Sequence, residues 1–214
     1  MRPLMRLLAA ACACASVAFR AVAAPPCTTP LNPAFESICY KTLFTLGNFS
    51  ITEYAAGVNV SLISSTLTAY PGSWDIQSET VTEELFYYFE GSNSADQKVP
   101  RTVPLIYRPQ VNGDLKASMA LPTSDFPNPE YAPKPSYYDV AEPFPAIRIA
   151  ALAFTTPAIA TDVQYSFACG ELLTLLAVEG VAPVAGPWSQ AWVTYSARAD
   201  KKHFNACWMQ VPAA

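Results

Sequence analysis

The 214-residue sequence contains one histidine, His203, and this scarcity excludes most catalytic sets that are built on an imidazole. A Ser-His-Asp or Cys-His arrangement would have to use that residue, and no G-x-S-x-G motif accompanies it. The sequence also lacks H-E-x-x-H, a P-loop and G-x-G-x-x-G. No C-x-x-C occurs, so nothing indicates a zinc or redox site of that kind. These absences predict a protein that is not an enzyme and has no metal site of its own.

The N-terminal segment 1–23 is predicted to be a signal peptide. Arg2 and Arg6 give it a positive start, an apolar run covers 7–19, and Ala21-Val22-Ala23 has the small-x-small pattern of a cleavage site. The apolar run is shorter than the roughly 20 residues that a membrane span needs. We therefore expect the protein to be secreted or to reside in the secretory pathway.

A plastid or mitochondrial transit peptide is the alternative, because Arg20 precedes the cleavage site and no acidic residue occurs before Glu36. The remaining chain, 24–214, is long enough for one domain with a hydrophobic core, and no stretch in it is long and apolar enough to span a bilayer. Loss of the leader lowers Lys+Arg from 13 to 10 against 17 Asp+Glu, a net charge of −7. This charge disfavours nucleic acid and anionic membranes as partners.

Four cysteines remain once the leader is removed, and their even number favours disulfides in an oxidising compartment. They are Cys27, Cys39, Cys169 and Cys207. Three pairings are open. We favour Cys27–Cys39, which is local, together with Cys169–Cys207, which would join a helix to the last strand; four free thiols are the alternative. In the secretory pathway two sequons would also be glycosylated, at Asn48 and Asn59.

Apolar periodicity predicts two helices among antiparallel strands. A capping-box pattern at Thr80 opens the first helix, which Gly91 ends, and the same pattern at Thr161 opens a second helix that Gly180 stops. Prolines cluster between 122 and 145, which predicts a loop there because proline cannot donate to a strand ladder. The order strands, helix, strands occurs twice. It predicts an α+β fold with an antiparallel sheet curled against two helices.

Several blocks of the sequence, in order, carry a family resemblance. The main block runs from Phe86-Tyr87-Tyr88-Phe89-Glu90-Gly91-Ser92-Asn93 to Gln97-Lys98-Val99-Pro100-Arg101-Thr102-Val103-Pro104-Leu105. It is similar to the signature of the SOUL haem-binding family, an aromatic helix end and G-K-N followed by K-I-x-M-T-x-P-V. Further blocks extend the resemblance over about 27–211, and they are 38–40, 49–54, 121–135, 145–154, 171–175, 192–195 and 205–208.

The resemblance implies a distorted β-barrel-like sheet flanked by two helices and built from two related halves. It also implies non-catalytic binding of haem or another tetrapyrrole, in a carrier or scavenger role. A porphyrin is a flat apolar disc with two carboxylates, so it needs an apolar shelf and one or two cations. We expect the shelf from Val81, Leu85, Tyr88 and Phe89, and the propionate-binding cations from Arg101, Lys201 and Lys202. A helix stripe is more often core and a lysine pair more often a solvated turn, and these alternatives stay open.

The chain also departs from the family pattern. Some members place a haem-ligating histidine in the second strand, where this chain has Glu53. His203, at the place of a family arginine, is then the one imidazole left as a candidate axial ligand, with a structural histidine as the alternative. Ser92, Arg101 and Ala206 replace a lysine, a methionine and a glutamate. These departures favour the alternative function, an exported interaction or structural protein of the SOUL fold that has lost haem binding; an enzyme acting on a tetrapyrrole is a third.

Overall fold

The computed structural model describes residues 27–29, 32–54, 60–68, 74–110, 112–135, 139–195 and 203–213. The predicted signal peptide lies outside these residues. The helices are α1 (Trp74–Glu90) and α2 (Asp162–Val178). The strands are β1 (Cys27–Thr29), β2 (Asn32–Ser37), β3 (Lys41–Leu46), β4 (Phe49–Tyr54), β5 (Ser61–Leu67), β6 (Leu105–Pro109), β7 (Leu115–Ala120), β8 (Asp139–Pro143), β9 (Ile147–Thr156), β10 (Ala191–Thr194) and β11 (His203–Val211).

Nine strands form one open antiparallel sheet in the order β3-β4-β9-β11-β10-β6-β7-β5-β8, and β1 pairs with β2 separately. Helix α1 packs on β5 and β7, whereas α2 packs on β9 and β11. The predicted class, an α+β fold with a distorted, barrel-like antiparallel sheet flanked by two helices, is therefore confirmed. No helix in the described ranges is both long and apolar enough to cross a membrane.

One structural unit occurs twice in this sheet. The units are β5-α1-β6-β7 and β9-α2-β10-β11, and their strands follow the same order outward from the centre, β6-β7-β5 on one side and β10-β11-β9 on the other. The two halves meet where β6 pairs with β10, with Tyr107 opposite Trp192 and Ile106 opposite Val193. This central strand pair consequently lies between the two helices, with Trp192 packed into the apolar clusters beneath both of them.

The ends of α2 follow from local side-chain chemistry. The Thr161 hydroxyl accepts a hydrogen bond from the backbone N–H of Gln164 at 3.3 Å, and the Gln164 side chain accepts one from the backbone N–H of Thr161 at 2.9 Å. These two bonds satisfy donors that the first turn of a helix leaves free. Gly180, with φ of +68°, follows the helix in the left-handed conformation that glycine adopts without strain. The predicted capping box and stop are confirmed.

The predicted start of α1 at Thr80 is wrong, because the helix begins at Trp74. Thr80 lies inside the helix, where its hydroxyl donates to the carbonyl oxygen of Ile76 at 2.8 Å. A threonine that bonds back one turn satisfies its hydroxyl within the helix and has no need to cap it. The predicted end is confirmed, since Gly91 follows the helix with φ of +114°.

The proline-rich stretch contains a strand that the sequence interpretation missed. Strand β8 lies inside the predicted loop, with Pro143 as its last residue, and pairs with β5 at one edge of the sheet. Proline is tolerated at an edge because one side of the strand needs no ladder partner. The prediction of loop throughout 122–145 is therefore wrong at β8.

Three apolar clusters make up the core, one on the sheet face away from the helices and one beneath each helix. In the cluster beneath α2, Cys169 of the helix and Cys207 of β11 form a disulfide with their α-carbons 5.3 Å apart. This predicted pairing is confirmed. Cys39 is also bonded in a disulfide. The side chain of Cys27 lies outside the described residues, so its pairing with Cys39 stays a prediction.

Asp139, the first residue of β8, has an unfavourable environment for its charge. Its Oδ1 atom is buried and has no hydrogen-bond partner among the described residues. Burial raises the pKa of this carboxyl from the usual 3.8 to about 6, a hydrogen bond from Ser65 opposes the rise, and the nearby charge of Glu84 adds to it. The native protein consequently binds this proton more tightly than the unfolded chain does, and the ionised carboxylate costs stability at neutral pH.

We expect Asp139→Asn to raise the free energy of unfolding at about pH 7.5, and to raise it progressively less as the pH falls toward about 4.5. The asparagine keeps the shape and an oxygen for Ser65 but removes the charge. Urea unfolding at a series of pH values measures the difference. The exposed Asp125→Asn provides the control. An equal gain at both pH values would contradict the raised pKa of Asp139.

Candidate ligand-binding cavity

A cavity of about 520 Å³ lies between α1 and the start of α2, above the central strands β6, β10 and β11. Its size falls in the range of small-molecule and cofactor sites. It takes side chains from both structural units. Its lining includes Trp74, Asp75, Ser78, Glu79, Thr82, Phe86, Arg101, Tyr107, Met119, Ala158, Tyr165, His203 and Asn205.

Helix α1 presents to this cavity a face that the sequence interpretation did not select. Trp74, Ser78, Thr82 and Phe86 recur every four residues, so they lie on one side of the helix and line the cavity. The signal was present in the sequence as a stripe of small polar and aromatic residues. Because Ser78 and Thr82 separate its two aromatic residues, this face does not form an apolar stripe in the sequence.

The four residues predicted as an apolar shelf form part of the core instead. Val81, Leu85 and Tyr88 are 0% exposed and Phe89 is 2% exposed. They belong to the cluster beneath α1, and the Tyr88 hydroxyl donates to the carbonyl oxygen of Pro133 at 2.8 Å. None of the four lines the cavity. The prediction of an open shelf is thus corrected to the core alternative, because this helix face is covered by the sheet.

An aromatic cluster lies beside the cavity near the start of α1, and its members Trp74, Tyr107 and Tyr165 line the cavity. The Trp74 ring meets Tyr107 edge-on at 5.3 Å between ring centroids and Trp192 edge-on at 4.6 Å. Tyr165 of α2 stacks on Trp192 at 5.4 Å with an angle of 8° between the ring planes. The Trp74 indole N–H donates to the carbonyl oxygen of Ala160 at 3.2 Å, and this bond joins α1 to the loop that precedes α2.

The hydroxyl groups at the cavity bond to one another and to the backbone. Tyr107 and Thr82 share a hydrogen bond of 2.7 Å. The Tyr165 hydroxyl contacts the Asn205 side-chain oxygen at 3.2 Å, and the Asn205 amide donates to the Thr156 hydroxyl at 3.0 Å. Burial, and less strongly Tyr107, raises the pKa of Tyr165 well above its ordinary value, so this phenol stays protonated. These groups shape the wall of the cavity as neutral donors and acceptors.

Two of the predicted site residues, Arg101 and His203, line this same cavity although they lie far apart in the sequence. His203 begins β11 and is 8% exposed. Arg101 is partly exposed, forms an ion pair with Glu90, and holds its guanidinium 3.8 Å from the centre of the Phe86 ring. The structure therefore brings together one predicted cation and the single imidazole. The sequence could not show this proximity, because the two residues come from different halves.

The charge around the cavity is mixed. Asp75 and Glu79 contribute carboxylates from α1, whereas Arg101 is the lining cation and is compensated by Glu90. Lys201 and Lys202, the other predicted cations, lie outside the described residues. Of the predicted glycosylation sites, Asn48 is exposed in the turn between β3 and β4, whereas Asn59 lies outside the described residues. No group of three or more His, Cys, Asp or Glu side chains that could hold a metal ion occurs in the described ranges.

Comparison with known proteins identifies the fold and goes no further. No model of a protein family matches the sequence, and no curated protein matches it. Among solved structures, a hydrolase from Listeria innocua is similar over 77% of this chain and 92% of its own, with 7% identity and a TM-score of 0.50. The structure of SAV2435 bound to tetraphenylphosphonium covers 77% of this chain and 94% of its own, with 12% identity and a TM-score of 0.41. The similarity to the hydrolase shows a shared fold alone.

Proposed function

We propose that this protein binds a large, flat, apolar ligand of the tetrapyrrole type, such as haem, in the cavity between α1 and α2, without catalysing a reaction on it. The observation that carries the proposal is that Arg101, His203 and an aromatic wall line one cavity of about 520 Å³. Apolar walls with a few convergent polar groups are typical of cofactor sites. A carrier or scavenger exported from the cell fits such a site.

The buried hydroxyl and amide groups of the cavity support binding rather than catalysis. The Tyr107, Tyr165 and Asn205 side chains are hydrogen-bonded within the protein, and Tyr165 keeps its proton at neutral pH. A catalytic acid or base needs a pKa near the working pH and a free direction toward the substrate. These internally bonded groups therefore define the cavity wall and do not supply an acid or base.

The mixed charge of the cavity orients a porphyrin. Its propionates would lie at the Arg101 side, because Asp75 and Glu79 repel anions elsewhere along α1. Arg101 is partly engaged by Glu90, so the propionates compete with that carboxylate. The apolar ring would contact Trp74 and Phe86, and His203 would be the imidazole available to ligate its iron.

Blocking the cavity mouth should abolish most ligand binding. Ala158 is exposed in the loop that lines the cavity, so Ala158→Trp fills the mouth at little cost to folding. We expect haemin affinity, followed by Soret absorbance, to fall about tenfold or more, which is about 1.4 kcal/mol of binding energy. Ala177→Trp, at an exposed position of α2 away from the cavity, is the matched control and should leave affinity unchanged.

The same titration distinguishes the outcomes. His203→Ala should shift the Soret maximum but keep most of the affinity, since the cavity walls provide most of the apolar contact. Equal affinity of Ala158→Trp and Ala177→Trp would contradict the cavity as the site. A native protein that gives no saturable Soret band would contradict haem binding itself. The second candidate function, an exported interaction protein, would then be favoured by an exposed apolar groove on the other side of α2.

A further inference from the structure

The two edges of the nine-stranded sheet differ in chemistry. The β8 edge carries Asp139 and Glu142 and ends at Pro143, features that discourage a further strand from pairing. At the opposite edge, β3 is exposed along its whole length and presents Phe44 and Leu46, the latter 69% exposed. In the described part of the chain, the outer side of β3 has no strand partner. The β8 edge thus carries more features that oppose pairing than the β3 edge, where Lys41 and a register irregularity between Thr42 and Phe44 are the ones present.

The open edge borders a large apolar groove. Phe44 and Leu46 of β3 form one side of a groove of about 1050 Å³, and the exposed side chains Val163, Phe167 and Val178 of α2 form the other. Phe167 is 74% exposed. Contiguous exposed apolar surface of this kind marks interaction sites. This groove is separate from the cavity proposed for the tetrapyrrole, since no described residue lines both.

The charges of the strand and of the groove are complementary. Glu171 and Glu179 are the charged residues among those that line the groove, and both are exposed. Lys41 is the charged residue of β3. A partner that carries an apolar strand with a lysine would therefore suit a groove that carries two carboxylates. The strand β3 itself has this composition.

We propose that a second copy of this chain occupies the surface, with β3 of each copy pairing antiparallel with β3 of the other. An open strand edge needs an extended backbone to satisfy its N–H and C=O groups, so the occupant contributes a strand. Antiparallel pairing of one strand with its own copy is two-fold symmetric, and each copy then brings its apolar strand and its Lys41 to the other's groove. The result is a closed dimer with one continuous sheet.

The test is sedimentation equilibrium of the full exported chain and its variants. We expect the native chain to form a dimer. Leu46→Lys should raise its dissociation constant about tenfold or more, because each strand would then carry two lysines and pair with a strand that carries two lysines as well. Val140→Lys is the matched control, since Val140 is an exposed apolar residue of the other edge strand, β8. It should leave the dimer unchanged.

Charge reversal gives an independent measurement. Lys41→Glu should weaken the dimer, and adding Glu171→Lys with Glu179→Lys should restore it.

A glycan on Asn48, which lines the groove, is the competing occupant, and Ser50→Ala removes its sequon while keeping the asparagine. A dimer seen only with Ser50→Ala would identify the glycan as the occupant and overturn self-pairing in the exported protein. A monomer for both the native chain and Ser50→Ala would also overturn the β3–β3 pairing. So would a dimer that Val140→Lys weakens as much as Leu46→Lys does.

Discussion

Replacing Leu85 by Asp should unfold the protein and not merely empty a binding site. Leu85 is 0% exposed and belongs, with Ile63 and Met119, to the apolar cluster beneath α1. Loss of such a side chain costs about 2–5 kcal/mol, and burial of an unpaired carboxylate adds several more. A domain of this kind has only about 5–15 kcal/mol of stability. Near-ultraviolet circular dichroism of the purified variant should show loss of fixed aromatic packing.

Tyr87→Asp is the matched control for this prediction. Tyr87 lies on the same helix but is 58% exposed, so its replacement should change stability by no more than about 0.5 kcal/mol. A folded Leu85→Asp variant that had lost haemin binding would contradict the core assignment. It would return the apolar stripe of α1 to the role of a ligand shelf.

The apolar stripe of α1 could be read from the sequence either as core or as a ligand shelf. The periodicity of Val81, Leu85 and Phe89 correctly predicts a helix with one apolar face. It does not say what covers the face, since a sheet and a bound ligand both select apolar side chains. The face that lines the cavity contains Ser78 and Thr82, which a hydrophobicity pattern assigns to solvent. Only the packing of the helix on β5 and β7 separates the two faces.

Some features set by local chemistry were predicted correctly, although the same capping-box pattern at Thr80 did not mark the start of α1. The capping box at Thr161 and the helix end at Gly91 depend on neighbours in the chain, and both are confirmed. Strand β8 was missed because its stability comes from pairing with β5 and from the ion pairs of Glu142 with Arg108 and Lys116. Such partners are separated by tens of residues, and no local pattern indicates them.

The cavity is the clearest case of a feature that only the folded chain reveals. Its walls come from α1, from the loop before α2 and from the central strands, so they combine residues of both structural units. The ion pair between Arg101 and Glu90 also depends on the turn that follows α1. The sequence supplied the candidates Arg101 and His203 by chemical type. It could not show that one of them lies beside a competing carboxylate.

Removing the disulfide between Cys169 and Cys207 should lower the melting temperature while leaving the ligand cavity intact. The bond closes a loop over a sequence separation of 38 residues. Chain-entropy arguments give such a cross-link about 3–4 kcal/mol, which for a domain of this size is a fall of roughly 10 °C. Calorimetry of the Cys169→Ala, Cys207→Ala double variant measures this loss. Neither residue lines the cavity, so haemin affinity measured well below the melting point should stay the same. A fall in affinity that accompanied an unchanged melting temperature would instead mean that the bond positions α2 at the cavity and contributes little to the stability of the fold.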